Sequence, residues 1–354
     1  MPGVRTMPRT QSGGQPTIVS IAERAEVSIA SVSRVLNGLG ARRDTVERVE
    51  RAAAELGYVP NAVARSLKDG RTRQLTFAMP DIGNPVYVAM VRAIQSVTKA
   101  AGYRLLLHST DAVVEDELAV LRSLGDRTSD GLIICPIRIT DEHVEALRSA
   151  AGPVVVIGSL PDEVPVDSVR ADSVAGAALA VRHLYETGRR RIAFVNGPSD
   201  TVPGRNRDEG FRSAMAERGL VYDDSLVVHT DFGIDSGAEA AEKLLADSAC
   251  LPDAVFCAND QLALGVARAL HSRGLRIPED VGVAGMDDSL LAQAGWPPLT
   301  SVDLGSTERG RHAAELLLER LRTPDGTAPR APRTTTAPPR LVVRASTAPT
   351  GATS

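Results

Sequence analysis

From Leu75 onward the chain is built from short runs of uninterrupted apolar residues, each followed by a longer amphipathic stretch. The runs LTFAM, YRLLLH, GLIIC and PVVVI form one series, and RIAFV, LVVHT, DAVFC and VGVAG form a second. A strand that shows apolar side chains on both of its faces has to be covered on both, which is the situation of a parallel sheet between two layers of helices. Helical periodicity fills the intervals at 86–101, 115–124 and 141–149 in the first series. In the second it fills the intervals near 173–187, 206–218, 235–246 and 260–273. Two such series predict an α/β fold of two lobes, each a doubly wound parallel sheet. LTSVD, a helix over 306–321 and RLVVR then return the chain to each lobe in turn. Residues 323–339, rich in Pro, Thr and Ala, read as a surface loop, and 348–354 as a frayed tail.

The segment before Leu75 follows another rule. In SIAERAEVSIASVSRVLNG, residues 20–38, Ile21, Ala22 and Ala25 share one helical face and Val32, Val35 and Leu36 share another. Glu26-Val27-Ser28 breaks the pattern between them, and Ser28 is a good N-cap for the second helix. Helices of about two turns bury little alone. A third, from about Asp44 to Leu56, supplies the support with Val46, Val49, Ala53 and Leu56 inward and Gly57 at its C-cap. Ile29, Ala30, Ser31, Ser33 and Arg34 remain on the outer side of the second helix. This is the layout of a helix-turn-helix, whose second helix enters the DNA major groove.

Charge supports a polyanion at one end. Residues 1–73 hold 12 Lys and Arg against 7 Asp and Glu, whereas the rest of the chain holds 28 against 37. A basic module on an acidic body suits nucleic acid at the basic end. Cys135, Cys250 and Cys257 have no metal-binding spacing and read as small buried side chains of a reduced, cytoplasmic protein. The 6 histidines form no HxxxH or HExxH pattern, so neither a metal nor another cofactor is expected. No run approaches the roughly 18 apolar residues of a membrane span. The polar start, MPGVRTMPRTQSGGQP, lacks the apolar region of a signal peptide and reads as disordered.

VSIASVSRVLNG, ELGYVPNAVARSLKDG, DIGNPVY, FCANDQLALGVARAL and VAGMDDSLLAQAGWPPLTSVD resemble the lactose-repressor (LacI/GalR) family of bacterial transcription regulators. The resemblance spans roughly residues 17–346, with its motifs in order. It implies a helix-turn-helix headpiece over 17–60, a hinge helix and linker over 61–73, and a two-lobed, periplasmic-binding-protein-like core over 74–347. The first lobe is expected at about 74–172 and 304–333, the second at about 173–303 and 334–347. The resemblance also implies a homodimer, a palindromic DNA operator and a small-molecule effector, a sugar or sugar derivative before a nucleobase. Glu26 stands where the family often has Gly; at positive φ a bulky side chain there costs about 1 kcal/mol.

Arg34 lies four residues after Ala30 on the outer face, where its guanidinium can pair bidentately with guanine O6 and N7. The plainer alternative is a solvated or phosphate-bound arginine. Ile29 and Ala30 align with the family's specificity-setting pair; lacking hydrogen-bonding groups, they can read only shape or a thymine methyl. Ser31 and Ser33 suit phosphate contacts or bonds back into the helix, and Ser28 and Asn37 complete the DNA-facing set. In the hinge, the resemblance makes Asn61 a helix cap, Ala64 a point of close approach to a twofold mate, and Leu67, followed by Lys68, a wedge in the minor groove.

In the core, ligands of open α/β sheets bind beyond the carboxyl ends of the strands. Asp287 follows VGVAGM, Asn259 follows AVFCA, and Arg207 is expected to open the helix after NGPSDTVPGRN. The family uses a corresponding Asp, Asn and Arg to clamp polar groups of the effector. An acceptor beside a donor suits vicinal hydroxyls. Phe232 offers a stacking face, and Val86 and Tyr87 contribute from the first lobe. For Asp287 the plain alternative is helix capping. A transport solute-binding protein would use such a core without needing the headpiece. An enzyme is disfavoured, since no GxSxG, P-loop or dinucleotide fingerprint occurs.

Overall fold

The computed structural model describes residues 16–59, 66, 70–246, 251–322 and 331–347. Asn61, Ala64, Leu67, Lys68 and Cys250, the N-terminal extension before residue 16 and the tail from 348 lie outside the described residues. The chain divides into two compact units, Met1–Thr72 and Arg73–Ser354.

In the first unit, α1 (Ile18–Ala25), α2 (Ile29–Leu36) and α3 (Arg43–Glu55) enclose a small core of Ile21, Ala22, Ala25, Val32, Val49 and Ala52. Thr17 starts α1 with a reciprocal capping box with Ser20, and the Ser28 hydroxyl accepts the Ser31 N–H at 3.1 Å to start α2. Glu26 ends α1 in the left-handed region at φ 51°. The strain has a local support, because Arg48 of α3 donates from Nη2 to both the Ala25 and the Glu26 carbonyls. A guanidinium thereby caps the C-terminus of α1, where carbonyls lack partners within the helix. Arg42, at the start of α3, caps nothing with its side chain.

The second unit contains two sheets of the same strand order. The first runs β2 (Arg104–Ser109), β1 (Gln74–Met79), β3 (Gly131–Ile134), β4 (Val154–Ile157), β5 (Asp167–Ala171), β11 (Thr334–Ala337). The second runs β7 (Val227–His229), β6 (Ile192–Asn196), β8 (Ala254–Cys257), β9 (Gly282–Met286), β10 (Thr300–Asp303), β12 (Arg340–Val342). Every pairing is parallel except β10 with β12, so the expectation of purely parallel sheets fails at that one edge. A short antiparallel edge strand on a parallel sheet is a common ending.

Both faces of the first sheet are covered, one by the cluster around Phe77, Met90, Ile94 and Leu317, the other by that around Leu121, Leu132, Leu147 and Val156. The second lobe is centred on a stack of phenylalanines, Phe194 with Phe211 at 4.6 Å and Phe194 with Phe256 at 5.1 Å between centroids. The chain passes between lobes at 171–173, at 303–306 and at 337–340. Two parts of the sequence reading need correction here. Thr334–Ala337 was expected in a loop and then in the second lobe, yet it forms a strand beside β5 of the first sheet, with Thr334 Oγ1 3.1 Å from Ser168 Oγ. Alternating half-buried threonines suit such an edge strand, and the Pro-rich surroundings concealed them. Strand β5, DSVRA, has no apolar run to announce it. Its buried Asp167 is accommodated by Arg320, whose Nε and Nη2 donate to the carboxylate at 2.8 and 2.7 Å, and by the Arg333 N–H at 2.7 Å.

Candidate functional site

On the headpiece, Ser28, Ile29, Ala30, Arg34 and Asn37 are exposed, while Ser31 and Ser33 are half-buried. The two serines differ from the outward placement expected of them. Ser31 Oγ lies 2.9 Å from Ser28 Oγ within the cap, and Ser33 Oγ accepts from Asn37 Nδ2 at 3.3 Å. Asn37 Nδ2 also donates to the Ser33 carbonyl at 2.6 Å, so this amide closes the end of α2. Arg34 folds back over the following loop, Nε donating to Gly40 O at 3.3 Å and Nη2 to Leu39 O at 3.2 Å. Ile29 presents an exposed apolar side chain at the front of the helix.

In the second unit a cleft of about 570 Å³ opens between the lobes. Strand order 2-1-3-4-5 reverses direction between β1 and β3, and in the other lobe between β6 and β8. Chain reversal at these switch points leaves a crevice beyond the strand ends. Pro80 and Asp81 after β1, Cys135 to Arg138 after β3, Pro198 after β6 and Asn259 after β8 line it. All of Val86, Tyr87, Arg207, Phe232, Asn259 and Asp287 line the same cleft, so the structure brings the sequence-predicted core residues together.

Arg207 and Asp287 face each other at 3.8 Å, both side chains 9% exposed. Arg207 does not open its helix as expected but stands in the second turn of α8 (Val202–Glu217), which Thr201 caps and Pro203 starts earlier. The separation from Asp287 is too long for a hydrogen bond. Arg207 Nε is buried with no partner in the structure. Burial lowers the affinity of Arg207 for its proton, against the pull of Asp287 and Tyr87. Burial also raises the Asp287 carboxyl above its ordinary range, with Arg207 and Arg309 acting the other way. A buried donor and a buried acceptor held apart in one cleft are set for a ligand that accepts from one and donates to the other. Asp287 does not cap a helix; its φ is 104°, a strained conformation that aims it into the cleft.

Asn259 is mainly internal. Its Oδ1 accepts the Leu262 N–H at 2.8 Å as the cap of α10 (Asp260–Ser272), and Nδ2 donates to Phe232 O at 3.0 Å, leaving one N–H for the cleft. The Phe232 ring stands 5.8 Å from the Arg207 guanidinium carbon and over Gly197, where a Cβ would overlap it. Tyr87 is held as a phenol by burial, and burial pushes the neighbouring Cys135 thiol up to about 12.

Sequence reasoning missed Asp81, Asp231, Arg138 and Arg309, which also line the cleft. Asp81 and Asp231 follow strand ends, as Asp287 does, and the same rule would have found them. Arg309 comes from α12 (Ser306–Arg322), where it is buried with Nε donating to Leu304 O at 3.1 Å. An arginine on the inward face of a helix with Ala313 and Leu316 was its only sign. Among the described residues no cluster of His, Cys, Asp and Glu could hold a metal ion, and no helix is long and apolar enough to cross a membrane.

Residues 17–61 match the family described as bacterial regulatory proteins, lacI family, and residues 181–347 match the periplasmic binding protein-like domain. The chain is 36% identical over 307 residues to the catabolite control protein A of Priestia megaterium, spanning 85% of this chain and 91% of that protein. It belongs to the lacI family of bacterial transcriptional regulators. A second lacI-family relative, the HTH-type transcriptional regulator DegA of Bacillus subtilis (strain 168), is 36% identical over 339 residues, 94% of this chain and 98% of that one. Among solved structures, the Lac repressor dimer bound to operator and the anti-inducer ONPF is similar with TM-score 0.83 and 28% identity, covering 94% of this chain and 99% of that chain. The complex of the transcriptional regulator CelR with cellobiose is similar with TM-score 0.70 and 34% identity, covering 94% and 99%.

Proposed function

We propose that this lacI-family regulator binds a palindromic operator as a homodimer, acts as a repressor, and is controlled by a neutral saccharide bound in the interlobe cleft. The observation that carries the reading is the open Arg207–Asp287 pair at 3.8 Å, buried in a cleft walled by Phe232 and Tyr87. Vicinal hydroxyls complete such a pair, and an aromatic face covers the apolar side of a sugar ring. Asp81, Asp111, Asp231 and Asp287 line the cleft against Arg138, Arg207 and Arg309, and Arg138 is already engaged by Asp200, so carboxylates outnumber the arginines open to a ligand. That charge balance disfavours an anionic ligand such as a phosphorylated sugar. The volume, about 570 Å³, has room for more than one sugar ring. The solved relatives bound to operator and to cellobiose point in the same direction.

One headpiece covers only a few base pairs, so useful specificity needs two half-sites and a dimer. Trp296, 93% exposed, and Leu290 present apolar surface that a second copy would cover. The test is selection of bound sequences from a random DNA pool, followed by release assays with neutral mono- and disaccharides. An inverted-repeat consensus and release by a saccharide are expected. Retention of all sequences alike, or a response only to anionic or nucleobase compounds, overturns the reading. Arg207→Ala or Asp287→Ala should abolish the response while leaving operator affinity in place.

A further inference from the structure

We propose that Asp260 is a positioning residue for effector binding: its carboxylate clasps, from behind, the turn that aims Asp287 into the cleft. The inference rests on the reading of that cleft as the effector site. Asp260 opens α10, where an acidic residue ordinarily serves its own helix. Here the cap is Asn259, and the Asp260 side chain turns away to the neighbouring strand ends. Oδ2 accepts the Ser289 N–H at 2.7 Å, and Oδ1 accepts the Ser301 hydroxyl at 2.6 Å. Ser301 Oγ in turn accepts the Asp288 N–H at 3.0 Å, and the Asp287 N–H donates to Val302 O at 2.7 Å. Three successive N–H groups are thereby fixed, two of them through Asp260.

The turn needs this support. Asp287 at φ 104° and Asp288 at φ 47° are consecutive non-glycine residues with positive φ, which persist only where surroundings over-determine them. Arg344 draws the Asp288 carboxylate away at 2.6 Å, leaving Asp287 to face Arg207. Gly285 makes the arrangement possible, since a Cβ there would overlap Asp260 Oδ1.

Among the described residues no cation lowers the Asp260 carboxyl. The groups around it are Asp287 from the turn, the Cys257 thiol from β8 and, at longer range, Arg207 from α8. Burial first, and repulsion from Asp287 second, raise its carboxyl to about 7. In the ionised form both oxygens accept. Protonation turns one of them into a donor facing a group that already donates, so the clasp is tightest above neutrality.

The test is Asp260→Asn in the full-length protein, which keeps the shape and sets an NH2 against Ser289 N–H or Ser301 O–H. Titration with a panel of glucose, galactose, maltose and cellobiose identifies the tightest-binding probe. The variant should bind that probe about tenfold more weakly, with unchanged operator affinity in its absence. Wild-type affinity should fall as pH drops from 8 to 6, and the variant should be flat. Ser301→Ala should weaken binding too, and the double variant should lose less than the sum of the two single losses, because the Asp260–Ser301 bond is common to both. Equal affinities in wild type and Asp260→Asn, or the same pH profile in both, overturn the proposal. Should wild type bind no saccharide, the cleft reading fails by itself. The carboxyl-carbon NMR signal of Asp287 in the ligand-free protein then decides: a shift on Asp260→Asn supports the clasp, and an unmoved signal refutes it.

Discussion

Arg138 on the first lobe and Asp200 on the second are joined across the mouth of the cleft by two hydrogen bonds, Nε to Oδ2 at 2.7 Å and Nη2 to Oδ1 at 3.2 Å. The Val202 N–H donates to Ile137 O at 2.8 Å beside them. The hydrogen bond from Arg138 holds the Asp200 carboxyl below its ordinary range. These contacts tie the β3–α6 loop, ahead of α6 (Asp141–Arg148), to the start of α8, the helix that carries Arg207. Closing the cleft and placing Arg207 are therefore linked. Asp200→Asn removes the charge but not the shape. A partly exposed pair is worth little, so effector release should speed up by only about threefold, read by stopped-flow. An unchanged release rate would show that lobe closure does not depend on this pair.

The support under Glu26 gives a second prediction. Arg48→Ala leaves the Ala25 and Glu26 carbonyls without their guanidinium and the left-handed residue without its brace. Headpiece stability should fall by about 1–2 kcal/mol. Glu26→Gly in that background should recover part of the loss, because glycine adopts φ 51° without strain. Hydrogen exchange of the α1 amides measures both effects; equal protection in all three proteins would contradict the account.

How much of this was legible in the residues depended on where each interaction is written. Strands with apolar side chains on both faces were readable from LTFAM to VGVAG, since burial on both faces leaves no polar alternation. The cleft was readable from the rule that ligands of open α/β sheets bind beyond the carboxyl ends of the strands, which picks out Asp287 and Asn259. Strand β5 was not, because the partner that makes Asp167 tolerable, Arg320, lies 153 positions away. Arg138 and Asp200, 62 positions apart, are likewise unremarkable until the lobes meet. Nothing in the residues sets Asp260 apart from other acids in a first helical turn, and only the fold shows that its carboxylate serves another turn.

Arg34 donates to Leu39 O and Gly40 O, so reading a guanine requires it to swing out. If it does, Arg34→Ala costs about 1–3 kcal/mol on the operator and relaxes preference at one position of each half-site. Affinity for random DNA should fall much less. Binding isotherms on operator and scrambled duplexes at matched salt make the comparison, and equal losses on both would assign Arg34 to a phosphate.

Asp167 supplies a pH dependence. Burial pushes its carboxyl upward, but the hydrogen bonds from Arg320 and the Arg333 N–H outweigh it and hold the pKa below the ordinary 3.8. A carboxyl depressed on folding contributes stability that is complete well above pH 3.8 and is lost as pH falls through the folded value. The first lobe should therefore lose this stabilisation only below about pH 4. Asp167→Asn should remove it at neutral pH, destabilising the protein by about 2–3 kcal/mol, since the half-buried Arg320 guanidinium loses the carboxylate charge that faces it. Denaturation at pH 7 and at pH 3 tests this: the gap between wild type and variant should narrow in acid.

Gly197 follows β6, and its bare Cα is what lets the Phe232 ring lie against the strand end. The Asn196 side chain fixes the same corner, its Oδ1 accepting the Gly197 N–H at 2.8 Å and its Nδ2 donating to Gly204 O at 2.9 Å. Gly197→Ala cannot displace that backbone without breaking both bonds, so the ring has to yield and swing toward the Arg207 side of the cleft. The added methyl thus reaches the ligand through Phe232 and not by contact. Affinity for an effector stacked on the ring should drop about tenfold, the scale of an aromatic contact of roughly 1 kcal/mol plus displaced volume. Phe232→Ala should lose a similar amount, and Gly197→Ala added to it should cost nothing further, because there is no ring left to push. Calorimetric titration of the two single variants and the double variant gives the coupling directly; additive losses would mean that Gly197 acts on the cleft by another route.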